Sequence, residues 1–407
     1  MEALRTVKIA DEFNVETGST PSTQIPEYWN GGTIKWVTPK DLGELDHRYI
    51  SNTERCITKE GLDNCSAKLV PSGSIIISTR APIGYLAVLT ESMAFNQGCK
   101  ALVPKDPRKV ESLFVYYYLQ TKVKEMNRLG SGSTFKEISK QKVENLPITL
   151  PPITTQKTLA TILGKADVAR EKRQQASRLT EEFLRSAFLE MFGDPVSNPK
   201  GWVVKAVGEL AEEGKNAIKA GPFGSSLKKE SYVEKGYKIY GQEQVIRDDL
   251  TFGDYYISEG KFKDLEAYRV KAGDILISLV GTYGKISIVP TDFEPGIINP
   301  RLMKITLNQQ IMLPVIFKHL MLSEGIKAVL DHTSHGGTMD IMNVGLMKAL
   351  KVYVPPLALQ KQFAALVEKV ETLRAKQRES EKELDDLFHS LMQRAFRGEL
   401  VGTPLCI

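Results

Sequence analysis

The stretch Leu150–Leu163, LPPITTQKTLATIL, is answered 204 positions later by Val354–Val367, VPPLALQKQFAALV. A double proline, a Gln-Lys pair and an apolar helical period follow in the same order both times. The offset persists on either side. GSGSTFKEISKQKVENLPITLPP from Gly130 faces SHGGTMDIMNVGLMKALKVYVPP from Ser334, with Gly132 against Gly336, Thr134 against Thr338 and Leu146 against Leu350. Downstream, Arg170 meets Arg374, Lys172 meets Lys376, Ser186 meets Ser390 and Phe192 meets Phe396. Upstream, GSIIIS from Gly73 reappears as GDILIS from Gly273, an offset of 200. Tyr28 meets Tyr232 and Trp36 meets Tyr240 at 204, and Asn96 meets Asn299 at 203. The chain is one unit written twice. Each copy is roughly 200 residues, too long for a solenoid repeat and the size of a domain plus a long helix.

The prolines bias Leu150 and Val354 toward extended backbone, so a helix begins after each pair. Thr154 or Thr155 is the expected cap of the first helix. The first helix is expected to stop at FGDP, where Gly193 takes a left-handed turn and Pro195 blocks continuation; the second stops near Gly398 in FRGEL. Each then runs for close to 40 residues, about 60 Å at 1.5 Å per residue. Spacings of three and four select Leu159, Ile162, Ala166, Ala169, Arg173, Ala176, Thr180, Phe183 and Ala187 in the first helix. At the same phase they select Phe363, Leu366, Val370, Leu373, Gln377, Ser380, Leu384, Leu387 and Leu391 in the second. Two matched heptad seams with a polar middle predict helices packed on each other. GSIIIS and GDILIS read as buried strands, and SLFVYYYLQ and LPVIFKHLML as helices, so each globular part is α+β.

Composition is that of a globular protein: 42% apolar and 25% charged residues, with a net charge of +5. Mild positive charge permits a nucleic-acid partner without requiring one. No apolar run reaches membrane-spanning length, and the N-terminus carries no secretory pattern, so a cytoplasmic protein is expected. Cys56, Cys65, Cys99 and Cys406 are scattered, which excludes a CxxC site. No phosphate-binding glycine loop, HExxH or nucleophile elbow is present. His332 and His335 in DHTSHGGT have no acidic or cysteine partners and no counterpart in the first copy, so they read as loop residues rather than ligands. The expectation is a non-catalytic binding protein with no metal of its own.

Two similar domains on a pair of antiparallel helices would carry the twofold symmetry that relates the strands of duplex DNA. The loops supply suitable chemistry. Ser19, Thr20, Lys35, Trp36, Thr38, Lys40, Arg80 and Gln97 are the candidates in the first copy. Ser225, Ser226, Lys228, Tyr240, Gln242, Gln244, Arg247 and Arg301 are those in the second. Glutamine pairs with adenine and arginine with guanine, while lysine suits phosphates. Pro151, Pro152, Gln156, Pro355, Pro356 and Gln360 start the two helices or meet a partner.

The ordered set of motifs resembles the specificity subunit of Type I restriction-modification systems over residues 1–400. The duplicated double-proline segments, GDILIS with GSIIIS, GSTP followed by Tyr28–Trp29, NQG at Asn96–Gly98 and the closing FRGEL carry the resemblance. It implies two target-recognition domains, each reading half of an asymmetric bipartite site in double-stranded DNA. They are related by a pseudo-twofold internal repeat, with an antiparallel coiled coil as ruler. The expected layout is domain one over 1–149, spacer helix 150–194, domain two over 195–353, spacer helix 354–400 and a tail over 401–407. The resemblance also implies a prokaryotic, cytoplasmic setting and two methyltransferase subunits bringing S-adenosylmethionine. Restriction-translocase subunits would bring ATP and Mg, with no cofactor on this chain.

Overall fold

GSIIIS and GDILIS become the central strands of two sheets, every residue of each strand buried. The computed structural model describes residues 5–80, 82–132, 136–223, 226–279, 284–334 and 343–400, without the side chains of 331–334. Two units result, Met1–Ala176 with Gln377–Ile407, and Ser177–Lys376. The described strands of the first unit are β1 (Arg5–Lys8), β2 (Phe13–Thr17), β3 (Ile34–Val37), β4 (Tyr49–Ile50), β5 (Cys56–Ile57), β6 (Ile75–Thr79), β7 (Ile83–Leu89), β8 (Ala94–Phe95), β9 (Cys99–Pro104) and β10 (Pro147–Leu150). They form sheets in the orders β2-β9-β6-β7-β4, β5-β3-β8 and β1-β10. Its helices are α1 (Ile9–Glu12), α2 (Pro39–Gly43), α3 (Lys59–Asp63), α4 (Ser112–Leu129) and α5 (Lys140–Glu144), followed by the start of α6 (Ile153–Phe192).

The second unit repeats the plan. Its strands are β11 (Val203–Ala206), β12 (Ile218–Ala220), β13 (Tyr232–Val233), β14 (Tyr237–Tyr240), β15 (Tyr256–Ile257), β16 (Ile275–Ser278), β17 (Ile286–Ile288), β18 (Gly296–Ile298), β19 (Leu302–Ile305) and β20 (Lys351–Val354). The sheets are β12-β19-β16-β17, β13-β15-β14-β18 and β11-β20. Helices α7 (Val207–Leu210), α8 (Gln242–Arg247), α9 (Glu259–Asp264), α10 (Pro314–Leu322), α11 (Glu324–Ser334) and α12 (Val344–Ala349) precede α13 (Leu357–Phe396). In each copy a two-stranded antiparallel ribbon, β1-β10 or β11-β20, ties the first strand to the last one before the long helix. Gly193 ends α6 with φ +82°, and Gly398 follows α13 with φ +77°, the left-handed turns that glycine accepts without a Cβ clash.

The starts of the long helices are held by an internal amide rather than a hydroxyl cap. Helix α6 already begins at Ile153, which puts Thr154 and Thr155 inside its first turn. Gln156 is 1% exposed; its side-chain oxygen accepts from the Glu111 N–H (2.9 Å) and its NH2 donates to the carbonyls of Lys109 (3.2 Å) and Pro151 (2.8 Å). Gln360, 0% exposed, accepts from the Leu313 N–H (2.8 Å) and donates to Ile311 (2.9 Å) and Pro355 (2.8 Å). One amide thereby satisfies the loop before α4 or α10 and the carbonyl of the first proline together.

Each unit's core includes one end of both long helices. In the first unit Leu159 and Leu163 of α6 join Phe388, Met392 and Phe396 of α13 beneath α4. In the second, Phe188 and Phe192 of α6 join Phe363 of α13 beneath α10. Within a unit the start of one helix therefore meets the end of the other, so the two run antiparallel there. Arg170 reaches Asp385 at 2.6 Å, and its repeat partner Arg374 reaches Glu181 at 4.0 Å. Each arginine also holds the acid three residues before it, Asp167 or Glu371. The expected seam is displaced at several positions, Leu373 (55% exposed) among them. Phe183 and Leu387 are each 50% exposed, while Leu184, Phe188 and Phe388 are buried. The sheets and short helices of each unit, rather than the other long helix alone, decide which face is covered there. His332 lies in the last turn of α11 instead of a loop, and His335 lies outside the described residues.

Two outcomes follow from this packing. Gln156→Ala or Gln360→Ala leaves two carbonyls and an N–H without their partner and is expected to cost about 2–4 kcal/mol in denaturant unfolding. His319 stacks on Phe188 and meets Phe363 edge-on, and burial lowers its pKa to about 4. Because the folded value lies below the unfolded one, the unfolded chain alone takes the proton between about pH 6.5 and about pH 4. Stability is fully present above that window and falls as pH drops through it. Wild type should lose about 2–3 kcal/mol more than His319→Phe between about pH 7.5 and about pH 4.5; equal losses would refute this origin.

Candidate nucleic-acid interface

The small sheets β5-β3-β8 and β13-β15-β14-β18 each carry a corner where several loops meet. In the first unit β3 runs parallel to β8, with Val37 opposite Phe95. Asn96, just after β8, donates its backbone N–H to Val37 (2.9 Å) and accepts the Gly98 N–H on its side chain (2.8 Å). In the second unit Tyr240 of β14 lies opposite Ile298 of β18. Asn299 donates to Tyr240 (2.8 Å) and accepts from the Arg301 N–H (2.9 Å). The local offset is therefore 203, and Trp36 corresponds to Ile239 rather than Tyr240. Aromatic character drew the two together in the sequence; the pairing of β3 and β14 with their neighbours sets the register.

Gly18 and Gly221 open these corners. A Cβ on Gly18 would lie 2.1 Å from the Asn96 carbonyl oxygen, and one on Gly221 would lie 1.9 Å from that of Asn299. Only glycine permits that approach. The residues after each glycine differ: Ser19 and Thr20 in the first unit, Pro222 and Phe223 in the second, with Phe223 71% exposed. Thr20 hydrogen-bonds to the side chain of Gln97, and the Ser19 carbonyl accepts from the Trp36 indole (3.0 Å). The Ser22 carbonyl accepts from the Trp29 indole (3.0 Å). Ser226 and Lys228 are exposed at the matching end of the second unit, and Ser225 lies outside the described residues.

Other candidates make contacts within their own unit, some buried and some, such as Lys40 and Arg247, on its surface. Trp36 and Tyr240 are 4% and 1% exposed, so their rings belong to the small cores. Lys35 donates to the Ser51 carbonyl and to Glu91. Lys238, the equivalent residue, donates to the Thr251 carbonyl (2.9 Å) and to Glu294 (2.6 Å). Thr38 and Asp41 form a capping box on α2. On α8 only half of such a box is possible at Gly241, which has no side chain: the buried Gln244 oxygen accepts from the Gly241 N–H at 2.9 Å. Gln242 donates to Ser278 (3.0 Å). Lys40 pairs with Glu54 (2.8 Å), whose hydrogen bond raises the lysine pKa. Arg247 pairs with Glu243 (3.0 Å) and lies over Phe252. Lys100, missed in the sequence, is 3% exposed and donates to Thr79 (3.2 Å) beside Glu137; burial lowers its pKa.

Arg55, Arg80, Lys228 and Arg301 have no carboxylate within 4.0 Å among the described residues, the arrangement that suits an anionic ligand. Of the helix-start residues, Pro151 and Pro355 are buried with the two glutamines, while Pro152 is half-buried and Pro356 exposed. Burial pushes the Cys99 thiol up and keeps it protonated, away from nucleophile chemistry. Among the described residues no group of three or more His, Cys, Asp or Glu side chains is placed to hold a metal ion, and no helix is long and apolar enough to cross a membrane.

Comparison with known proteins agrees with this duplicated plan. The chain is 29% identical over 384 residues to the Type I restriction enzyme MjaIX specificity subunit of Methanocaldococcus jannaschii, covering 89% of this chain and 85% of that protein. It is 25% identical to the EcoBI specificity subunit of Escherichia coli, covering 97% of this chain and 80% of that protein. In fold it resembles the S subunit of a Type I restriction-modification system from M. genitalium, with a TM-score of 0.57, 16% identity, and 97% and 96% of the two chains covered. The profile of the Type I restriction modification DNA specificity domain matches twice, over residues 1–180 and 199–386, and the chain belongs to that DNA-specificity family.

Proposed function

We propose that this chain is the non-catalytic DNA-reading subunit of a Type I modification and restriction complex, in which each unit reads one half of an asymmetric bipartite site. The observation that carries this reading is a common corner, Gly18 against Asn96 and Gly221 against Asn299, decorated with different residues in the two copies. A shared scaffold with divergent loops suits two different half-sites. The long helices set the separation of the half-sites, each 3.4 Å of spacing corresponding to one base pair along a strand. Two methyltransferase subunits supply S-adenosylmethionine and methylate adenine, and restriction-translocase subunits supply ATP- and Mg-dependent cleavage. The setting is the prokaryotic cytoplasm.

The test is N6-methyladenine mapping in cells expressing the chain with a cognate methyltransferase subunit, beside cells lacking the chain. One bipartite motif, modified only when the chain is present, is the expected result. An unchanged map despite soluble, co-purifying subunits would replace this reading with that of a protein scaffold.

A further inference from the structure

The corner beside each small sheet contains a position where the two copies present different exposed chemistry on the same backbone. In the first unit the Trp36 N–H donates to the Arg55 carbonyl (3.2 Å); in the second the Ile239 N–H donates to the Tyr255 carbonyl (2.8 Å). Arg55 and Tyr255 are therefore equivalent. Trp29 and Tyr232 are equivalent too, since each ends a short 3-10 turn through an N–H bond to Pro26 or Lys229. The Arg55 guanidinium carbon lies 3.7 Å from the centroid of the Trp29 ring, and Tyr255 packs on Tyr232 with ring centroids 5.7 Å apart. Arginine on tryptophan in one copy has become tyrosine on tyrosine in the other.

We propose that Arg55 reads a guanine in the half-site of the first unit, and that Tyr255 is the base-contacting residue at the same place in the second. This deepens the DNA-reading function proposed above and rests on it. Three observations support the assignment. Arg55 is exposed, and its guanidinium has no carboxylate or hydrogen-bond acceptor among the described residues. Its flat face is taken by Trp29, which leaves the N–H fork in the plane of the group free for a two-acceptor edge such as O6 and N7 of guanine. The support is held still: Trp29 and Trp36 meet edge to face at 5.1 Å, and their indoles are fixed to the carbonyls of Ser22 and Ser19. That clamp places Arg55 on the same corner as Thr20 and Gln97. A phosphate contact needs only charge, whereas a base contact needs the fork. Tyr255, 57% exposed on Tyr232, offers a ring and a hydroxyl instead, as expected where the second half-site differs.

The test uses the full chain with its cognate methyltransferase subunit. Methylated motifs are mapped for wild type, Arg55→Lys, Arg55→Ala and Tyr255→Ala, and binding is measured on duplexes with single base-pair changes across the motif. Arg55→Lys and Arg55→Ala are expected to lose discrimination at one G·C pair of a single half-site, roughly 10- to 100-fold, with unchanged thermal melting. Tyr255→Ala is expected to relax only the other half-site. A wild-type motif and affinity for Arg55→Lys would make Arg55 a charge contact and overturn the proposal, as would a wild-type motif for Arg55→Ala. Absence of any motif with the wild-type chain would instead remove the underlying DNA-reading function.

Discussion

Burial of the long-helix ends inside the two units is the constraint on which the rest depends. Phe396 lies far along the chain from the sheet-bearing part of the first unit, yet it touches Phe114 and Tyr118 with ring centroids 5.5 Å away in each case. Phe192, its repeat partner, meets Phe188 and Phe363 in the second unit. A buried phenylalanine contributes about 3–5 kcal/mol when its removal leaves a cavity. Neither copy has a complete core from its own contiguous sequence, because each borrows the helix end written in the other. Gln156 and Gln360 then fix where each helix leaves its unit, and the Arg170–Asp385 and Arg374–Glu181 pairs recur along the packed faces.

On that support the corners are free to diverge. The close approach of Gly18 to Asn96 and of Gly221 to Asn299 is kept, as is the lysine-to-glutamate bond of Lys35–Glu91 and Lys238–Glu294. Thr20 has become Phe223, Gln97 has become Pro300, and Arg55 has become Tyr255. On the proposed reading this separates stability from recognition: the first set holds strands and loops in register, and the second set is left to do the reading. A change in the second set would then alter what is bound at little cost in folding energy, since surface substitutions away from such supports usually shift stability within about 0.5 kcal/mol.

The repeat, the central strands and the glycine stops of the helices were legible because each rests on local pattern. β-Branched runs after a glycine, and Gly193 before Asp194–Pro195, need no knowledge of distant partners. The helix seam was misleading at Phe183, Leu373 and Leu387, each at least half exposed. Trp36 and Tyr240 were paired through aromatic likeness although insertions had moved the register by one. The roles of Lys35 and Gln156 were hidden for a similar reason: Glu91 is 56 positions from Lys35, and the Glu111 N–H is 45 positions from Gln156. Arg55 was not among the sequence candidates, because its stacking on Trp29 joins residues from separate loops.

The borrowed helix end is tested most directly by Phe396→Ala in the full chain, followed by hydrogen exchange of backbone amides. Phe396 is written in the second copy but packs in the first unit. The account predicts faster exchange in α4, Ser112–Leu129, with α10, Pro314–Leu322, unchanged. Faster exchange in α10 with α4 unaffected would contradict it.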